Sequence, residues 1–190
     1  MMYQPGNPFF PVIVIQNKHL IIEIFREIFS LTVVFLIAYL SGNNYREKFA
    51  ALMFTFGLWD IFYYIWLFII HQWPPSWMTW DVLYRVPIMW TGPVIAPLIV
   101  SVCLVSSALI IFYIEHNKIE IEFTSGMWIF EIIAGTGVII SFVWNSQSTL
   151  RGAWPGGFPW WLFLPSILLG LIVFYYALIK CFFTSSKNPQ

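Results

Sequence analysis

The chain alternates between long apolar segments and short polar ones. Five of the apolar segments have about 20 residues, the length at which a helix rising 1.5 Å per residue crosses the hydrocarbon core of a bilayer. The pattern therefore predicts an all-α, polytopic transmembrane helix bundle with five spans, which forms a single domain over residues 1–190. The predicted spans are 19–40, 49–72, 93–114, 126–145 and 160–183.

Composition supports a membrane protein and excludes some partners. The chain is 59% hydrophobic and 9% charged, with a mean hydropathy of +0.77, whereas about 25% of the residues of a soluble domain are charged. Nine basic residues balance nine acidic ones, so there is no basic surface that would bind nucleic acid. The expected partners are the lipid bilayer and other membrane protein subunits. No motif specifies a cofactor, and we expect none.

The distribution of basic residues predicts an orientation. Five spans place the two termini on opposite sides of the membrane. One set of span ends holds more Lys and Arg than the other, and the positive-inside rule then places the N-terminus outside and the C-terminus inside. The span ends on the predicted inner side hold five basic residues: Arg46, Lys48, Lys118, Lys180 and Lys187. The span ends on the predicted outer side hold three: Lys18, Arg85 and Arg151.

The loop between the second and third spans is rich in aromatic residues. Trp77, Trp80 and Tyr84 lie at i, i+3 and i+7, which predicts a short interfacial helix with these rings on one face. Asp81 and Arg85, four residues apart, are expected to pair along it. We call the aromatic and charged residues of this loop the outer lid: Trp77, Trp80, Asp81, Tyr84, Arg85 and Trp90.

Ionisable residues inside the spans are the main candidates for chemistry, because a charged side chain at a span centre costs about 2.5–3.5 kcal/mol unless it is paired. Three of these residues, Glu23, Arg26 and Glu27, lie at i, i+3 and i+4 on the first span and therefore share one face of it. Asp60 lies near the centre of the second span, and the tyrosines after it are its nearest candidate partners. Two interpretations stay open: hydrogen bonds that hold helices together, or a proton relay or ligand contact. We call this group the polar cluster: Glu23, Arg26, Glu27, Asp60, Tyr63 and Tyr64.

Other polar residues are weighed separately. His19 and His71 lie at the outer ends of the first two spans, so they are the candidates for a metal or haem site, although interfacial histidines often bind nothing. Glu131 lies toward the inner end of the fourth span. Ala134, Gly137 and Ser141 on the same helix are small residues at the spacing of a helix-packing seam.

Three motifs recur together in a known group of proteins. They are E-x-x-R-E at 23–27, F-G-x-W-D-I-x-Y-Y at 56–64 and W-D…P-x-x-W-x-G-P at 80–93. Over about residues 20–100 the chain resembles a group of small multi-span bacterial inner-membrane proteins. The resemblance implies the same location but no particular activity, and this chain has Arg85 where the group has an apolar residue. It also implies that one constellation includes Glu23, Arg26, Glu27, Asp60, Asp81, Trp90, Gly92 and Pro93.

The sequence leaves three functional hypotheses, of which it favours the first. The first is a non-catalytic subunit of a larger membrane complex, respiratory or redox complexes among them. The second is a small transporter or proton-conducting protein that uses Asp60 and Glu27, which requires an aqueous path to Asp60. The third is a membrane enzyme that binds a lipid-soluble substrate such as a quinone under the outer lid, which requires a cavity near Trp80 and Tyr84. Whether the chain is an enzyme stays open.

Overall fold

The structure, a computed structural model, describes residues 17–84, 88–119, 123–147 and 156–185, with side chains except those of residues 17–20, 23 and 181–185. Within these ranges five helices are each long and apolar enough to cross a membrane, which confirms the prediction of five such helices. They are α1 (Asn17–Ser41), α2 (Tyr45–His71), α3 (Ile95–His116), α4 (Ser125–Val143) and α5 (Trp160–Ser185). Two strands, β1 (Trp80–Tyr84) and β2 (Trp90–Pro93), form an antiparallel hairpin between α2 and α3.

Side-chain capping sets the beginning of α2. The helix begins at Tyr45, earlier than the predicted residue 49, because the side chain of Asn44 accepts hydrogen bonds from the backbone N–H groups of Arg46 and Glu47 at 3.0 and 2.9 Å. These polar residues extend the helix beyond its apolar part. The helix ends at His71, and the capping residue Gln72 has a left-handed backbone conformation, with its N–H bonded to carbonyl groups of the last turn.

The predicted interfacial helix is wrong, because residues 80–84 form the strand β1. Trp80 and Tyr84 are four residues apart, and that spacing places two side chains on one face of a helix and also on one face of a strand. In so short a segment the pattern alone does not decide between them. The strand gains a partner in β2, where Asp81 pairs with Gly92 and Val82 with Thr91.

The helices pack in two groups. α1 packs on α2 and α2 on α3, while α4 packs on α5. We call the end of the bundle where α2 ends and α3 begins the hairpin end. At the opposite end a hydrophobic cluster that includes Ile114, Met127 and Ala177 joins α3, α4 and α5. There Glu115 also accepts hydrogen bonds from Asn44 and Arg46 at 3.0 and 3.3 Å, which ties α3 to the start of α2.

Small residues set the contact between α4 and α5, as expected from the sequence. Ala134, Gly137 and Ser141 are buried. A side chain at Gly137 would collide with the hydroxyl of Ser166 on α5. The two helices can approach closely there only because residue 137 has no side chain.

Candidate functional site

The β-hairpin turns back into the bundle from the hairpin end. Asp81, near the start of β1, bonds to Tyr64 of α2, and Tyr84, at the end of β1, packs against Trp59 with ring centroids 6.3 Å apart. Trp59 lies five residues, or about 7.5 Å, further from the end of α2 than Tyr64 does. β1 therefore runs alongside α2 toward the middle of the bundle. Non-helical backbone at such depth is tolerated where protein surrounds it.

A β-bulge directs two functional side chains of β1 toward α2. In a regular strand, residues 81 and 84 would point to opposite faces, since their separation is odd. The pairing register shifts between Val82 and Tyr84, so one extra residue is inserted into β1. As a result Asp81 and Tyr84 both face α2, which brings a carboxylate and a phenol to the same side of the hairpin.

A buried hydrogen bond joins the hairpin to α2. The hydroxyl of Tyr64 donates to Oδ2 of Asp81 at 3.0 Å, and the backbone N–H of Val82 donates to Oδ1 at 2.7 Å. Asp81 is 1% exposed and Tyr64 is 4% exposed, with Trp73 stacked on the ring of Tyr64. Asp81 lies in a strand and not in the predicted helix, and Arg85, its expected partner, lies outside the described residues.

A second hydrogen bond joins α2 to α3. The hydroxyl of Ser101 donates to Oδ2 of Asp60 at 2.7 Å. One turn earlier, Gly57 lies so close to α3 that a Cβ there would be 2.8 Å from the carbonyl oxygen of Ser101. Tyr64, one of the tyrosines that the sequence offers as a partner of Asp60, instead directs its hydroxyl to Asp81. Sequence reasoning missed Ser101, whose signal is a serine within an apolar helix.

The phenol of Tyr84 lies between charged groups. Its hydroxyl oxygen is buried and has no hydrogen-bond partner within the described part of the chain. Burial raises the pKa of this phenol well above its usual range, the nearby charges of Asp60 and Glu27 raise it further, and Arg26 opposes them. Tyr84 thus marks the point where α1, α2 and the hairpin meet. Thr91 of β2, 1% exposed, has a second buried hydroxyl without a partner among the described residues.

The α1 part of the polar cluster divides between two environments. Glu27 is 4% exposed, whereas Arg26 is exposed, and both interact with other groups. The side chain of Glu23 lies outside the described residues, as do the side chain of His19 and the whole of Arg85. The described residues contain no group of three or more His, Cys, Asp or Glu side chains that could hold a metal ion.

Most aromatic residues of the outer lid pack into the bundle. Trp90 stacks on Phe142 of α4 at 6.1 Å with nearly parallel rings, and Trp80 packs edge-on against Phe158 at 6.3 Å. Trp77 differs, since 65% of its surface is exposed. The rings of Trp80 and Trp90 are therefore in contact with other aromatic rings of the bundle.

An open groove of about 360 Å³ runs along α2. The described residues that line it lie between Trp59 and His71 on this one helix, and Tyr63 and His71 are its polar members. Both of these side chains interact with other groups of the chain. The groove therefore adjoins the Trp59–Tyr84 contact but lies on the outside of α2.

The Tyr84 hydroxyl leads to a prediction, because it has no hydrogen-bond partner among the described residues. Tyr84→Phe removes this buried hydroxyl without breaking a hydrogen bond of the described chain, so the free energy of unfolding should stay unchanged or rise by up to about 1 kcal/mol. Unfolding of purified protein in mild detergent, followed by tryptophan fluorescence during an SDS titration, measures this. A loss greater than about 1 kcal/mol would show that the hydroxyl does have a partner.

The raised pKa of Tyr84 predicts a pH dependence. Since the folded-state pKa is above the unfolded value of about 10, the unfolded chain loses this proton more readily. The contribution of Tyr84 to stability is therefore complete below about pH 10 and is lost as the pH rises further. The apparent melting temperature of the wild type should fall more steeply above about pH 10 than that of Tyr84→Phe. Parallel curves for the two proteins would contradict this.

Comparison of the chain with models of protein families, with curated proteins and with solved structures finds no match. The arrangement of the residues described above is therefore the basis on which a function is proposed.

Proposed function

We propose that this chain is a non-catalytic integral membrane subunit of a larger membrane complex. The supporting observation is that the hydrogen-bonded carboxylates of the site connect elements of the chain itself. Asp60 joins α2 to α3 through Ser101, and Asp81 joins the hairpin to α2 through Tyr64. Carboxylates inside the bundle that are supplied with donors in this way fix the position of neighbouring elements.

The outward faces of the first two helices also support the proposal. In the apolar, span-length part of each helix, only 17% of the residues of α1 and 11% of those of α2 are buried inside the chain. The corresponding share is 28% for both α4 and α5. Large apolar side chains such as Phe29 and Trp66 are exposed on α1 and α2. In a membrane such faces are covered by lipid or by the helices of other proteins, and a subunit would use them for contacts with its complex.

The proposal places the chain in a bacterial inner membrane with the N-terminus outside and the C-terminus inside. Basic side chains collect at the opposite end of the bundle, where α2 begins and α3 and α5 end: Arg46, Lys48, Lys118 and Lys180. An excess of Lys and Arg marks the cytoplasmic side of a membrane protein.

Purification of the tagged full-length chain from its native membranes tests the proposal. In mild detergent, with the co-purifying chains identified by mass spectrometry, we expect other membrane proteins in fixed stoichiometry. A tagged unrelated polytopic protein of similar size, expressed at the same level, controls for adventitious association. Recovery of the chain alone, or only with further copies of itself, would contradict the proposal.

One observation favours proton conduction as a second candidate. The phenol of Tyr84, which has no hydrogen-bond partner in the described part of the chain, is influenced by the charges of Asp60 and Glu27, and a chain of ionisable groups inside a membrane is what proton transfer needs. Proteoliposomes that contain the purified chain and a pH-sensitive dye test this candidate. Proton flux that is lost in both Asp60→Asn and Glu27→Gln would support it, and a wild-type flux no greater than that of empty liposomes would exclude it.

A further inference from the structure

Glu131 of α4 differs from every other acidic side chain that the structure describes. It has no hydrogen-bond or ion-pair partner among the described residues, although it is partly buried. One carboxylate oxygen lies beside Gly170 of α5, 3.4 Å from the position that a Cβ would take there. The other described acidic residues all have partners: Glu27, Glu47, Asp60, Asp81 and Glu115.

The depth of Glu131 makes the missing partner costly. The residue lies six positions after the start of α4, or about 9 Å along the helix. Its neighbours Trp128 and Ile132 are exposed apolar residues that are suited to lipid. An ionisable side chain in such a position normally pairs with another group inside the membrane. Within the described chain that group is missing.

Gly135 lies one helical turn beyond Glu131 on the same face and is open. A Cβ added there would meet no atom of the described residues within 4 Å, whereas Cβ atoms added at Gly57 or Gly137 would collide with a neighbouring helix. Glycine in a helix interior lowers helix stability relative to alanine, so contacts with the described part of the chain give no reason for it. Glycine on an outward face lets the backbone of another transmembrane helix approach closely.

We infer that the face of α4 with Glu131 and Gly135 packs against a transmembrane helix of a different protein, and that this helix has a lysine or arginine that pairs with Glu131. The inference rests on the proposed function, since it identifies one contact of the subunit. Charge complementarity determines the chemistry of the partner, and the open glycine determines how close its backbone comes.

A second copy of this chain is a poorer source of the basic group. The basic side chains at the opposite end of the bundle that belong to helices are already engaged within the chain. Arg46 pairs with Glu115, Lys48 lies 4.1 Å from the ring centroid of Tyr39, and Lys180 has a partner as well. Lys118 lies beyond the end of α3 at His116, outside a span. Among the described residues a second copy thus offers no unengaged basic side chain within a helix, which favours a different polypeptide as the partner.

Site-specific photo-cross-linking in native membranes tests the inference. A photoreactive amino acid replaces Ile139, one turn beyond Gly135 on the same face, or Ile140, its matched control at the same depth on another side of α4. The two positions are 46% and 41% exposed. We expect an adduct with a different membrane protein at position 139 that is at least tenfold stronger than at 140. That protein must contain a lysine or arginine within a span.

Charge exchange then tests the pair itself. Glu131→Gln should reduce the adduct at 139 several-fold, and Glu131→Lys should abolish it. When the chain carries Glu131→Lys, replacing the basic residue of the partner with Glu should restore the adduct at 139. Equal adducts at 139 and 140, no adduct, an adduct only with a second copy, or no effect of Glu131→Gln would each overturn the inference. If one of these results is obtained but other subunits still co-purify in fixed stoichiometry, only the inference about Glu131 is wrong. If no other subunit co-purifies, the inference and the proposed function are both wrong.

Discussion

Replacing Asp81 by alanine is expected to lower the free energy of unfolding by about 2–6 kcal/mol. The substitution leaves the hydroxyl of Tyr64 and the N–H of Val82 without their acceptor, and each buried unpaired donor costs about 1–3 kcal/mol. Since folded proteins are stable by only about 5–15 kcal/mol, the hairpin should detach from α2 or the chain should fail to accumulate. The apparent melting temperature in mild detergent and the yield of monodisperse protein measure this.

Two further variants assign the effect to the hydrogen bond. Tyr64→Phe removes one donor and keeps the carboxylate, so it should cost less than Asp81→Ala, about 1–3 kcal/mol. In the double variant the two costs should not add, because both remove the same bond. Strictly additive costs would show that Asp81 stabilises the chain by other contacts. Asp81→Ala with wild-type stability would show that the hairpin is held without it.

The five helices could be predicted from the sequence because one physical requirement decides them. A span must be about 20 residues long and apolar, and both properties are local. The beginning of α2 could not be predicted from apolarity alone, because the capping side chain of Asn44 extends this helix into polar residues that resemble a loop. The hairpin was not predictable in the same way. Its strand β1 is stabilised by pairing with residues 90–93, and nothing local to 80–84 reveals that partner.

The bonds of the candidate site could not be predicted from the sequence. The cost of burying charge singles out ionisable residues within the spans, such as Asp60 and Glu27, but does not say which groups they bond to. Which group bonds to which depends on the register between α2 and α3, and that register depends on close packing at Gly57. Ser101 is 41 positions from Asp60. The bulge that turns Tyr84 to the same side as Asp81 also has no signature in the order of residues alone.

Gly57→Leu is expected to separate α2 from α3 and to lower the yield of folded protein severely. A Cβ at this position would already lie 2.8 Å from the carbonyl oxygen of Ser101 and from a methyl group of Val105. The first of these atoms is backbone and cannot move aside without a shift of the whole helix. Gly57→Ala should cost about 1–3 kcal/mol, the usual cost of overpacking, and leucine should cost more. Thermal unfolding in mild detergent measures both variants.

Gly135→Ala and Gly135→Leu are the matched controls, because Gly135 is also a glycine inside a transmembrane helix. There a Cβ meets no atom of the described residues within 4 Å, so in the isolated chain alanine should raise the free energy of unfolding by up to about 1 kcal/mol through helix propensity alone. Opposite effects at the two glycines would show that close packing of α2 on α3, and not the chemistry of glycine, positions Ser101 against Asp60. Equal effects at both positions would mean that α2 and α3 are not in close contact at Gly57.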